Sequence, residues 1–480
     1  MNEARRRLAC AFVVVVMPVW WGCGRTQAGE GRAPLSEGAA LASHREGFVD
    51  AAGRPDRSSP GAAVAATRCR ASESGFVIEG ERPVLAASET RGPSDSAADR
   101  TPGLGAPNGG DAVGEVEIGD ALAEVEGYAV SVIHRTAAGR TCSVAHLGPG
   151  GNGPVRLVEL GATLGDAPPA RLVRRGTELL AAAYSAPGSG RGGGLTRELA
   201  LYAVGDAGTA IRTGAVAQQR DDSLAFDIAS SGRSLLVVWD EAAPGPRGVI
   251  RAAVSAAGST AFGSSRDVSP TDRDAESPRL VYSDHFVVFW LARRPEPSLD
   301  AALAPPSAEA VGEARAYGWL ESEDLDDRGV PVGVPRPLTS TSGHVSAYDV
   351  AALADGSILV VARDEGEAVE GIGGRLLRIR VAVGGVDPPL AYAIDGLGSC
   401  APVLVAGSPP WLSWVGPGEH LRLLPLDETG APAGPSSDED AMSDGRPLLA
   451  LGPRGDGMQP LLVAFPSRAD GQLRRFACTR

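Results

Sequence analysis

The sequence predicts an all-β fold assembled from a recurring unit of about fifty residues, and three observations predict it. The first is composition: 63 glycines and 37 prolines among 480 residues suit many short strands joined by tight turns and suit long helices badly. The second is a set of short apolar runs such as Leu235–Trp239, which lack the polar alternation of a half-exposed sheet and read as strands buried on both faces. The third is that these runs recur in a fixed order with the same flanking elements.

At the N-terminus, Arg5-Arg6-Arg7 precede an apolar run from Leu8 to Trp21. Such a run is short for a bilayer span and fits the hydrophobic region of a signal peptide, residues 1–22. It ends in Gly22-Cys23, which resembles a bacterial lipobox, although Trp20 and Trp21 replace the aliphatic and small residues usual there. The resemblance implies lipidation of Cys23 and an exported chain, lipid-anchored at the outer membrane or in the periplasm.

Residues 23–111 are rich in Gly, Ala, Ser, Pro, Arg and Asp. That composition buries too little apolar surface to offset its ordering entropy, so a disordered tether is expected. Within it, Phe76-Val77-Ile78 and Pro83-Val84-Leu85 have strand character, and Cys69 stands just before them.

Residues 112–480 carry the repeats. A short strand opens each one, a strongly apolar strand follows, and an alternating strand ends in a small or acidic residue and glycine. Arg171-Leu172-Val173 leads to Leu179–Tyr184, and Arg279-Leu280-Val281 leads to Phe286–Trp290. The third element appears as Leu421–Leu426 before Asp427-Glu428-Thr429-Gly430. Phe226-Asp227-Ile228-Ala229 and Tyr348-Asp349-Val350-Ala351 open matching units about two repeats apart. Starts near Val113, Pro169, Ser223, Glu276, Val345, Cys400 and Gly445 predict a seven-bladed β-propeller. The last unit has room for about three strands, and a strand from the N-terminal side, around Phe76–Leu85 or Val116–Ile118, would complete it. An insertion at Arg293–Arg315 reads as a loop. The same strand content also permits a pair of β-sandwiches. The repeat architecture resembles the β-propeller lipoproteins of bacterial envelopes, without a diagnostic motif that would bring a family function with it.

Chemistry is harder to find. The chain has no lysine, so its Lys+Arg count of 45 is all arginine, which excludes Schiff-base catalysis and lysine-bearing phosphate loops. Net charge is −14, a surface that repels phosphate backbones and argues against nucleic-acid partners. No metal site or cofactor is expected: the six histidines and six cysteines fall in no ligand spacing. Cys69, Cys142, Cys400 and Cys478 allow two disulfides in three connectivities, suited to an oxidising compartment. Cys478 is expected near the start of the domain, bridged to Cys69 or Cys142. His134 and His146 flank one hairpin and read as surface or packing residues. The Gly188–Gly194 segment reads as a hairpin turn, and Glu321–Asp327, Asp240-Glu241 and Asp364-Glu365 read as solvated turns.

The candidate ligand-binding residues are Asp227 and Asp349, each expected on an innermost strand facing the channel, where carboxylates hold a hard cation or bind a polar ligand, or else accept backbone hydrogen bonds. No catalytic residues are assigned. The function expected is a non-enzymatic envelope protein binding a protein or glycan partner, attached to the membrane only through its lipid anchor. The alternative is a periplasmic hydrolase or lyase at the channel mouth.

Overall fold

Each apolar run becomes the second strand of an antiparallel sheet. Leu235–Ala243 lies between Phe226–Ser230 and Arg247–Val254, with Arg266–Asp267 at the outer edge. Its first six residues are all buried. Phe286–Arg293 and Ile358–Asp364 repeat that burial in their own sheets. A strand covered on both faces has no solvent side for polar residues, which is why these segments are continuously apolar.

The computed structural model describes residues 68–78 and most of 116–479; within the latter, the longest stretches outside the described residues are 186–196 and 295–317. Six sheets are built wholly from consecutive strands: blade 1 (116–163), blade 2 (171–219), blade 3 (226–267), blade 4 (274–337), blade 5 (345–391) and blade 6 (403–442). The first strand of each is innermost, and the innermost strands neighbour one another in chain order around the axis. That arrangement is a β-propeller and not two face-to-face sandwich layers.

The core lies in the gaps between blades. Phe226, Leu235, Val237 and Trp239 of blade 3 pack against Tyr184 and Leu199 of blade 2. The alternate residues Leu236 and Val238 pack against Phe286, Val288 and Trp290 of blade 4. At the first of these gaps Tyr184 meets Phe226 edge to face, ring centroids 5.3 Å apart, a favoured aromatic geometry.

The expected count of seven blades is corrected. Six blades are complete in themselves, and among the described residues the chain after blade 6 supplies three strands, Leu448–Leu451, Met458–Phe465 and Gly471–Thr479. Their sheet reaches four strands by taking Arg68–Ile78 as its outer edge, antiparallel to Gly471–Thr479. This composite sheet sits between blades 6 and 1 and closes the ring. A three-stranded remainder would leave an open edge; a distant segment pairs with it instead.

Thus one segment of the expected tether is a strand. The signal peptide, Cys23, the rest of the tether, Cys400, the Gly188–Gly194 segment and nearly all of the Arg293–Arg315 insertion lie outside the described residues. Three expected turns are also corrected. Glu321, Glu323 and Asp324 belong to the strand Trp319–Leu325, most of it buried in blade 4. Asp240 and Asp364 are buried at 4% and 7% exposure inside their second strands. Sequence periodicity missed them because acidic residues on a doubly covered strand look like a solvated turn until their partners are known.

Candidate functional site

The innermost strands bring five charged side chains together around the axis. Asp227 follows Phe226 on the first strand of blade 3; Phe226 packs into the gap towards blade 2, so strand alternation turns Asp227 towards blade 4. There its Oδ2 accepts a hydrogen bond from the Leu280 amide at 2.9 Å, while Oδ1 accepts from Ile228 at 3.0 Å. Asp349 of blade 5 clasps the next blade in the same way, accepting from Leu404 of blade 6 at 2.9 Å. Asp120 of blade 1 accepts from Leu172 of blade 2 at 2.8 Å and from Ala121 at 2.9 Å. Three blades therefore each clasp the backbone of the next through one carboxylate.

Arginines occupy the intervening blades. Arg171 of blade 2 approaches Asp227 at 3.9 Å, and Arg279 of blade 4 approaches Asp349 at 3.6 Å. The order round the axis is Asp120, Arg171, Asp227, Arg279, Asp349. Burial favours loss of charge on Arg171, but Asp227 and Asp120 outweigh it and hold the guanidinium protonated more firmly than usual. Asp120 is shifted upward as well, which for a carboxyl favours the neutral form: burial raises it, against the pull of Arg171 and of its backbone donors. Tyr348, beside Asp349, donates its hydroxyl to the Ser277 carbonyl at 2.7 Å, and burial pushes its ionisation well above the ordinary range.

These groups still reach solvent. The side chains of Arg171 and Asp227 are 23% and 15% exposed, and those of Arg279 and Asp349 are 16% and 12% exposed. The cluster is therefore an internal clasp that stays partly exposed, with acceptors and donors in alternation on the innermost strands.

Asp227 and Asp349 were legible from their matching contexts. Asp120 was not, because Gly119 precedes it instead of an aromatic residue. Arg171 and Arg279 were visible only as the first letters of a repeat. The available signal was the alternation itself, acid and arginine at the same strand position in successive blades.

The other candidates do not converge on this site. His146 is bonded to Glu124 at 2.9 Å. It lies opposite Ala129, whereas His134 lies opposite Thr141, so the two histidines stand at different levels of the hairpin. Burial lowers the proton affinity of His134. Cys142 is buried in an apolar cluster with Ile133 and Val144, and burial pushes its thiol up to about 11. A second polar cluster lies between blades 3 and 4, where Glu321 accepts from Trp319 Nε1 at 2.8 Å and pairs with Arg273. Glu321 and Glu323 share that face but are 0% and 1% exposed, which keeps substrate from them. Among the described residues no three His, Cys, Asp or Glu side chains gather as a metal site would require.

No family model matches the chain, and no curated protein does. Solved structures do. The chain is similar to a polysaccharide lyase at 8% identity and TM-score 0.48, covering 86% of this chain and 99% of that one. An ulvan lyase is similar at 9% identity and TM-score 0.48, covering 76% of this chain and 94% of that one. An α-L-arabinanase of Penicillium chrysogenum is similar at 11% identity and TM-score 0.41, covering 75% of this chain and 92% of that one.

Proposed function

We propose that the protein is an exported propeller, tethered to the bacterial envelope through a lipidated Cys23, that binds a glycan at its axial mouth. The observation that carries the proposal is the partly exposed Asp–Arg ring on the innermost strands. A glycan hydroxyl both donates and accepts, and alternating guanidinium and carboxylate groups fixed by backbone clasps supply both functions with little reorganisation. The second reading is cleavage of the bound polysaccharide. It is favoured by the same ring, which sets cationic donors beside carboxylates, a juxtaposition able to hold a negative charge and accept a proton in one step.

A polysaccharide panel applied to the full exported chain and to Arg279→Gln and Asp349→Asn tests both readings. Asparagine keeps an oxygen for the Leu404 amide, so the clasp survives while the charge is lost. Expected is retention of at least one glycan by the wild type, weakened on the order of tenfold or more in each variant. Release of shorter saccharides by the wild type alone would replace binding by catalysis. Equal retention by all three proteins would remove the ring from recognition altogether.

A further inference from the structure

Cys69 and Cys478 stand directly opposite each other in the antiparallel pairing of Arg68–Ile78 with Gly471–Thr479. The match is part of an unbroken register, Arg68 with Thr479, Cys69 with Cys478, Arg70 with Ala477 and Ala71 with Phe476. Opposed residues of an antiparallel ladder have Cα atoms about 4.5–5.5 Å apart and share one face of the sheet. A disulfide needs a Cα separation of roughly 4.4–6.8 Å.

We propose that Cys69 and Cys478 form a disulfide that covalently locks the composite sheet and with it the ring. Two thiols become one S–S bond, and the two electrons and two protons pass to a disulfide-bearing oxidant of the export compartment, which leaves as a dithiol. Of the possible pairings this one agrees with the strand register. Cys142 belongs to a different sheet, lies opposite Ile133 and Gly161, and is buried at 2% exposure among apolar residues. The bond falls at the one sheet that the chain does not complete from consecutive strands. It links a strand before blade 1 to the last strand of the chain, so it closes almost the entire propeller into one covalent loop. Closing so long a loop restricts the unfolded chain more than a short loop would.

The test is peptide mapping by mass spectrometry of the full chain exported to an oxidising compartment, alkylated before and after reduction. Expected is a reductant-sensitive peptide joining Cys69 to Cys478, with Cys142 labelled as a free thiol only after unfolding. Recovery of Cys69 and Cys478 as separately alkylated thiols, or of either one bonded to Cys400, overturns the proposal. As a second readout, reductant lowers the thermal midpoint of the wild type by several degrees and leaves that of Cys69→Ser unchanged. The mapping is made on the wild type, so it stands even if the variant folds poorly. It reads no ligand, so its failure is distinct from failure of glycan binding.

Discussion

Glu323 shows what a single side chain contributes when a blade buries it. It lies on Trp319–Leu325 with 1% of its surface exposed, and neither carboxyl oxygen has a hydrogen-bond partner among the described residues. Burial, with added repulsion from Asp324 and Glu321 and against the pull of Arg336, pushes its ionisation up to about 7. A carboxyl raised above its unfolded value favours the folded state while it is protonated. Its contribution is complete below about pH 4.5 and is lost as pH rises through about 7. The wild type is therefore expected to lose more thermal stability between pH 5 and pH 8 than Glu323→Gln, and the variant to be the more stable of the two at pH 8. Scanning calorimetry at the two pH values decides it, and parallel losses would clear Glu323 of the effect. Glu321 contrasts on the same face, because Trp319 Nε1 and Arg273 engage its carboxylate. Nothing in Glu-Ser-Glu-Asp distinguishes these fates; Glu321 gains one partner from Trp319 on its own strand and another from Arg273, which only the packing of the blade brings to it.

The turns that follow the third strands of blades 4 and 6 repeat one device. Asp326 Oδ1 accepts the amides of Arg328 and Val330, and Asp427 Oδ1 accepts those of Thr429 and Ala431, at 2.8–2.9 Å. Each turn ends in a glycine at positive φ, +70° at Gly329 and +78° at Gly430. The device was legible in Asp427-Glu428-Thr429-Gly430 as a turn, since aspartate bonds its own following amides and glycine tolerates that backbone. Its second role was not legible. A Cβ on Gly430 would lie 2.6 Å from Leu359 Cδ1 of blade 5, and one on Gly329 would lie 2.8 Å from Leu236 Cδ1 of blade 3. The turn of one blade is thus seated on the second strand of the blade before it. Leu359 is fully buried and has little room to yield. Gly430→Ala is expected to cost about 1–3 kcal/mol through backbone strain, with the steric clash adding to it. The neighbouring exposed Glu428→Ala should stay within about 0.5 kcal/mol of wild type. Urea unfolding midpoints measure both, and equal midpoints would refute the seating.

The whole ring depends on how its last sheet is closed. Without Arg68–Ile78, the strand Gly471–Thr479 would present an unpaired edge, the usual template for association with another chain. A chain that begins at Asp111 is therefore expected to melt at lower temperature and to associate, by light scattering, more than one beginning at Ala66. Matching behaviour of the two chains would show that the strand contributes nothing to closure. The strand was legible as a possibility in Phe76-Val77-Ile78, an apolar patch within a polar stretch. Its partner and register were settled only by pairing with the distant Gly471–Thr479. The shortage of one strand in the repeat beginning near Gly445 was legible from its length, but counting that repeat as a seventh blade was not supported, since only six blades are built from their own consecutive strands.

From sequence alone came the all-β class, the propeller repeat, the doubly buried second strands and two of the three axial carboxylates. All of these are local patterns, written in the spacing of apolar, acidic and glycine residues along a single unit. The alternation of Asp120, Arg171, Asp227, Arg279 and Asp349, the burial of Glu323 and the opposition of Cys69 to Cys478 were decided by tertiary structure. Each is a relation between strands far apart in the chain, and such relations exist only once the blades are packed around a common axis.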